Sequence, residues 1–351
     1  MIKIPIAQPK IGYDEIQGVM DVIRSGMLAQ GSKVEQFERN FADFIGTKYA
    51  VACNSGTAAL HMAILANNIG KGDEVITTPF TFIATINMIK AVGATPVYVD
   101  IKNDFNIDEK LIEEAITKKT KAILPVHLFG KPCDMKDIMK IAKKHNLLVI
   151  EDCAQACGAE YDKQMVGSIG GCGCFSFYPT KIITTGEGGM VTTNDEEVYK
   201  KLKLIRNHGM VDQYKYEGMG YNYRMSDISA SIGLVQLSKI KTFLGVRYNI
   251  AFLYNMAFNK LFNIPPQDEK SVHIYNNYSF CLKNRDKFIL NMKENGIDCR
   301  VYYPTIFDEG CKNALRVSKE IVSIPIRPNM TSDDINHIIE NVTEYLASEG
   351  A

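Results

Sequence analysis

The chain has no net charge to offer a polyanion: 40 Lys and Arg balance 40 Asp and Glu. Without a basic excess, block or stripe, nothing in its field favours nucleic acid or an anionic membrane. No apolar run approaches the roughly 18 residues of a membrane-spanning helix. The first seven residues, MIKIPIA, are too short and too soon followed by polar ones to be a signal peptide. Neither a GxxxxGKS/T loop nor a GxGxxG turn after a first strand occurs, which removes the P-loop and dinucleotide fingerprints. Low-complexity tracts and internal repeats are missing as well. The nine cysteines follow no disulfide framework. Cys153/Cys157 and Cys172/Cys174 are close in sequence, yet no nearby His or second CxxC completes a tetrahedral set, so no metal is expected. Scattered free thiols in a large chain act as small buried hydrophobes and imply a reducing, cytoplasmic setting.

What is present is ordinary globular material, 46% hydrophobic and 23% charged over 351 residues, enough for one large and one smaller domain. Strand-like and helix-like segments alternate through the first half. Strands are expected at 49–53, 74–78, 96–101, 121–129 and 147–150, with helices at 56–66, 81–92, 108–116 and 135–145. Residues 147–150 are apolar without alternation, as in a strand buried on both faces. Such β-then-α units predict an α/β fold with a mostly parallel wound sheet. After Arg224 the pattern becomes a long helix to about residue 261, with a possible break at Gly245. Beyond it come strands at 274–282 and 321–326 and a closing helix at 332–347. The expected division is an N-terminal arm and large domain over 1–230 and a small α+β domain over 231–351.

Five runs carry chemistry. In Phe175-Ser176-Phe177-Tyr178-Pro179-Thr180-Lys181, a strand breaks at proline and delivers one lysine ahead of the turn Thr184-Thr185-Gly186-Glu187-Gly188-Gly189. A lysine held there is desolvated, which lowers its pKa and makes the amine nucleophilic, as Schiff-base chemistry requires; a structural loop lysine is the plain alternative. In Cys53-Asn54-Ser55-Gly56-Thr57, a strand turns into a helix whose N-terminus can cradle phosphate, or is simply capped by Ser55 or Thr57. Val149-Ile150-Glu151-Asp152 brings two carboxylates to a strand end, and alternation lets one of them face the crevice, where it can hold a protonated pyridine nitrogen. Phe82 lies just past another strand end and can stack on a flat ring or fill core. Asn222 and Arg224 lie in a polar, aromatic loop before the long helix and can reach a phosphate in this subunit or a neighbour.

These runs, in this order, resemble the DegT/DnrJ/StrS family of nucleotide-sugar aminotransferases, pyridoxal phosphate (PLP) enzymes of fold type I similar to aspartate aminotransferase. The resemblance extends from Pro5 to about Leu237 and weakens through the small domain. It implies Lys181 as Schiff-base lysine and proton shuttle, Asp152 as partner of the pyridinium nitrogen, and Gln155 beside the ring's phenolic oxygen. It implies Gly56, Thr57 and Ser176 at the phosphate, Phe82 stacked on the ring, and Asn222 with Arg224 reaching the phosphate of the partner in a homodimer. Glutamate as donor, a nucleotide-linked keto sugar as acceptor and a pyridoxamine phosphate form during turnover come from the same source.

The tail departs from that pattern. Tyr303-Pro304-Thr305-Ile306-Phe307-Asp308 and Ile324-Pro325-Ile326-Arg327-Pro328 carry an acid and a base where members often carry histidines. Asp308 and Arg327 are therefore expected either to pair or to shape a different sugar pocket, together with Tyr303. His127 and His208 are each either site or structural residues. The run 184–189 is similar to that of enzymes aminating C4 of 4-keto-6-deoxy sugars, such as perosamine synthases. Amination at C3, sugar dehydration (which uses histidine in place of the lysine) and an aromatising branch are the alternatives, besides a DNA-binding regulator.

Overall fold

The computed structural model describes residues 3–258 and 269–348. Its centre is a seven-stranded sheet made of β1 (Tyr49–Cys53), β2 (Glu74–Thr77), β3 (Thr95–Tyr98), β4 (Thr120–Ile123), β5 (Leu148–Asp152), β6 (Cys172–Ser176) and β7 (Gly189–Thr193). The order across the sheet is β1-β7-β6-β5-β4-β2-β3. Only β7 runs against its neighbours, pairing antiparallel with both β1 and β6. One such strand lets the Gly turn after Lys181 send the chain straight back beside β6.

Apolar residues on both faces explain why this sheet is buried from both sides. Val51, Cys53, Ile150, Cys174 and Val191 meet the helix Gly56–Ala66 in one core, whereas Ala50, Ala52, Phe175 and Met190 meet the helix Ser32–Ile45 in another. The fold is the expected α/β class. Strand and helix expectations hold to within a few residues, with two exceptions. The strand expected over 121–129 ends at Ile123, because the chain past Pro125 makes a 3-10 turn at Leu128–Gly130 with Phe129 at φ 56°. The strand expected over 274–282 is only Tyr278–Cys281, since the amides of Ile274 and Asn277 are spent on the carbonyls of Gly130 and Phe129.

The helix Asp227–Phe258 runs unbroken through Gly245; the part of the expected helix beyond Phe258 lies outside the described residues. Its first half places Leu237, Ile240 and Phe243 in the core of the large domain. Its second half places Ile250, Tyr254 and Phe258 in a separate core with Tyr278, Phe280, Phe288 and Val342. The boundary expected after residue 230 thus falls just inside this helix, and the change of core comes between Phe243 and Ile250. Ile4 joins the second core by bridging to Ile297, so the N-terminal arm crosses to the small domain. Among the described residues no helix is long and apolar enough to cross a membrane.

Candidate active site

Parallel strands gather the segments beyond their C-terminal ends along one edge of the sheet. Here that edge lines a cavity of about 480 Å³, an ordinary size for a small-molecule site. Gly56 and Thr57 come from the end of β1, Phe82 and Thr85 lie beyond β2, Asp152 and Gln155 end β5, and Ser176 and Lys181 come from the end of β6. Tyr303 closes the cavity from the small-domain side.

The two carboxylates after Ile150 part company, as strand alternation requires. Asp152 faces the cavity, accepting from Thr85 Oγ1 at 2.8 Å and from the Ala154 amide at 3.1 Å. Burial raises its pKa, against those two hydrogen bonds and the positive charge of Lys181. Glu151 points the other way and is fully buried. It accepts from the amides of Gly167, Ile169 and Gly170 and from His127. His127 Nδ1 accepts the Cys133 amide, which leaves the proton on Nε2 to be donated to Glu151 at 3.1 Å. His127 is therefore a structural residue beneath the site, and the exposed His208 does not line the cavity.

Lys181 is half-buried, and its amine makes no hydrogen bond to any described residue. Its backbone closes a turn onto Tyr178 O, and Thr184 Oγ1 with the Thr185 amide ties the segment to Phe177 O. Gly186 supplies the positive φ that the return requires. Burial pushes the Lys181 pKa down to about 8, with Asp152 pulling the other way. At pH 7 about a tenth of such an amine is neutral, against well under a thousandth for an unperturbed lysine. Burial thus leaves this amine partly deprotonated near neutral pH.

At the other end of the cavity the helix Gly56–Ala66 begins, with Ser55 rather than Thr57 as its cap: Ser55 Oγ accepts the Ala58 amide at 3.1 Å. Thr57 keeps an exposed hydroxyl. Gly56 packs so closely on β6 that a Cβ there would lie 2.7 Å from Ser176 Cβ. The helix N-terminus, the Thr57 hydroxyl and Ser176 together form a cradle suited to phosphate. Gln155 is pinned between Phe129, whose amide donates to Oε1 at 2.8 Å, and the Tyr303 hydroxyl, 2.5 Å from Nε2. Tyr303 adopts φ 65°, stacks parallel to Phe129 and tilts against Phe82, giving the cavity an aromatic wall.

Four expected site residues lie elsewhere. Asn222 and Arg224 do not line this chain's cavity. Asn54 anchors their loop through its amide to Tyr223 O and its side chain to Asn222 O, leaving Asn222 exposed, while Arg224 donates to Asn207. The expected Asp308–Arg327 pair does not form. Arg327 is buried against Pro5 O, Asn329 and Asp334, and Asp308 caps its own turn at Gly310. Arg327 thus meets the carboxylate of Asp334 rather than that of Asp308. Sequence reasoning in turn missed Thr85, Tyr178, Thr180, Glu187 and Tyr302, all of which line the cavity. Thr85 had a signal: Thr81, just before the helix Ile83–Ala91, and Thr85 in its first turn point their hydroxyls at one another and on to Asp152.

Comparison with known proteins gives the family. The profile of the DegT/DnrJ/EryC1/StrS aminotransferase family matches residues 9–343. The chain belongs to that family. Among relatives of this aminotransferase, the GDP-perosamine synthase of Caulobacter vibrioides is 38% identical, with 98% of each chain covered. The dTDP-3-amino-3,6-dideoxy-alpha-D-galactopyranose transaminase of Aneurinibacillus thermoaerophilus is 39% identical over 94% of this chain and 95% of the other. In structure, Spr1654 of Streptococcus pneumoniae, assigned as a sugar aminotransferase and solved in its PLP-form, matches with a TM-score of 0.92 at 30% identity, covering 98% of this chain and 99% of its own.

Proposed function

We propose that this sugar aminotransferase moves the amino group of glutamate to C4 of a nucleotide-linked 4-keto-6-deoxyhexose. The observation that carries the reaction class is the lysine amine with a pKa near 8, in one cavity with a buried, hydroxyl-bonded carboxylate and a helix N-terminus. These residues fit pyridoxal phosphate. Bound there, the cofactor supplies an electron sink for breaking a C–H bond next to nitrogen.

The chain's own residues do the rest. Asp152, shielded from water and steadied by Thr85, holds a proton on the ring nitrogen. Gly56, Thr57 and Ser176 bind the phosphate, Phe82 covers a ring face, and Gln155 orients the ring edge. Lys181 Nζ would hold the cofactor and, as a free amine, would carry a proton from the donor's Cα. The same atom returns a proton to the sugar carbon in the second half-reaction, so donor and acceptor use one site in turn and the kinetics are ping-pong.

Asn222, held outward by Asn54, serves with Arg224 the phosphate of the partner in a homodimer. The exposed apolar side chains Tyr13, Ile16, Met20 and Ile23 along the helix Tyr13–Ser25 support such an interface. Nine free thiols, all but Cys281 buried, support a cytoplasmic enzyme.

C4 rests on the run 184–189; the second reading, C3, is favoured by the Aneurinibacillus relative, a transaminase named for a 3-amino sugar. Supplying ¹⁵N-glutamate with a panel of 4-keto and 3-keto nucleotide sugars decides between them. Label is expected in the 4-amino product, and label only in 3-amino products rejects C4. For the shared site, mixing inactive Lys181→Ala with inactive Asn222→Ala chains is expected to restore activity through hybrids with one intact site. No recovery after subunit exchange would reject the cross-subunit role.

A further inference from the structure

Tyr303 lines the cavity in a strained backbone. Its φ of 65° is a left-handed conformation that bulky residues rarely adopt, and such strain persists only where the surroundings impose it. Packing accounts for its ring. The ring lies parallel to Phe129 with centroids 6.4 Å apart, meets Phe80 edge-on at 5.9 Å and leans on Phe82 at 6.2 Å. A phenylalanine would fill the same space, so packing leaves the hydroxyl unexplained.

That hydroxyl reaches from one domain to the other. Tyr303 follows Arg300, whose amide and carbonyl pair with Ser323 in the small-domain strand Ile321–Ile324. Gln155 belongs to the large domain, just past the end of β5. The direction of the bond between them is fixed. The Phe129 amide can only donate, so it takes the Gln155 oxygen, and Nε2 is left to face the phenol at 2.5 Å. Nε2 therefore donates one of its two protons to the Tyr303 oxygen. Gln155 is buried and held at both ends of its amide, so the second Nε2 proton keeps one direction. Burial and the charge of Asp152 both push the phenol's pKa up, so this contact does not change through the neutral range.

We propose that Tyr303 is a positioning residue: acting through Gln155, it holds an amide proton on the phenolic edge of the cofactor and so sets how tightly the nitrogen joined to Lys181 keeps its proton. This deepens the reading of the cavity as a pyridoxal phosphate site and rests on it. A donor on the phenolic oxygen draws charge from it, and the neighbouring nitrogen then loses its proton more readily. Without the Tyr303 hydroxyl the Gln155 amide turns on its one remaining anchor, the Phe129 amide, and the donor is weakened.

The test uses Tyr303→Phe, which keeps the ring, its stacking and its backbone. In the cofactor-loaded protein, the pH midpoint of the visible absorption change should rise by at least about half a unit, roughly a threefold change in proton affinity. The same substitution made in Gln155→Leu should move the midpoint by no more than about 0.2 unit, because the route through the amide is already gone. A ring that merely walls the cavity would move neither. An unchanged midpoint in Tyr303→Phe overturns the proposal, as does an equal rise in the Gln155→Leu background. A second readout needs no cofactor. Urea unfolding of the wild type, both single variants and the double variant should show effects that are non-additive by at least about fivefold in the unfolding constant. The Phe129 amide loses its partner in both Gln155→Leu chains, so that loss cancels, and additive effects overturn the proposal. Should Gln155→Leu fail to fold, the midpoint of Tyr303→Phe decides alone. Failure of the aminotransferase reading is separate and would appear as no visible band when pyridoxal phosphate is added to the wild type.

Discussion

Replacing Lys181 by methionine should stabilise the cofactor-free chain near neutral pH, although it removes the nucleophile. The half-buried ammonium has its pKa pushed from 10.5 to about 8. At pH 7 that displacement corresponds to about 3 kcal/mol, already net of the attraction to Asp152. The folded chain holds this proton less tightly than the unfolded chain does. The penalty is therefore complete below about pH 8 and fades as pH rises from there through 10.5, leaving about 1 kcal/mol at pH 10. Methionine also adds apolar burial, but that contribution does not depend on pH. The decisive quantity is thus the difference of about 2 kcal/mol between the gains at pH 7 and pH 10. Urea unfolding of both cofactor-free proteins measures it, at one protomer concentration so that any dimerisation contributes equally. An equal gain at both pH values, or a wild type that is more stable at pH 7, would refute the desolvated-lysine reasoning.

Other consequences are equally direct. Thr85→Val removes the hydroxyl from Asp152 Oδ2 and should lower kcat by roughly 10- to 100-fold, the loss of a hydrogen bond to a charged group, with KM for the keto sugar little changed in steady-state assays. Gly56→Ala forces a Cβ against Ser176; it should cost about 1–3 kcal/mol of stability and weaken cofactor retention in dialysis. Glu151→Gln turns an amide nitrogen toward donors that now meet a carboxylate, so stability should fall by about 3 kcal/mol, while chains that remain folded still bind cofactor. Capture of pyridoxal phosphate by the cofactor-free wild type, monitored by stopped flow, should rise about tenfold per pH unit below pH 8 and level off above it; a flat profile would contradict the lysine's lowered pKa.

Much of the site was legible because its residues sit where strands end. The strand 49–53 and helix 56–66 could be bounded from residues alone, since Cys53 closes an apolar run and Ser55 is a good cap for the helix after it. Alternation along 149–152 required one carboxylate to turn away, and three amides and His127 account for Glu151 being the one. The features that could not be read depend on partners distant in sequence. Arg327 meets Pro5 O across 322 residues, so a local motif comparison had no means of preferring it to Asp308. The strand expected through Phe129 failed because Ile274 and Asn277, far along the chain, take the carbonyls of that turn. Thr85 was overlooked because a threonine inside an apolar helix looks like filler until its acceptor is known.

The central claim is that Lys181 and Asp152 form a pyridoxal phosphate site serving amino transfer to a nucleotide sugar. Borohydride reduction of the cofactor-loaded protein, with peptide mass spectrometry of the product, tests it most directly. The account predicts a phosphopyridoxyl group on Lys181 alone, absent when glutamate is added before the reductant and restored when a nucleotide-linked keto sugar is added after the glutamate. Label on another lysine, or label on Lys181 that glutamate does not remove, would contradict it.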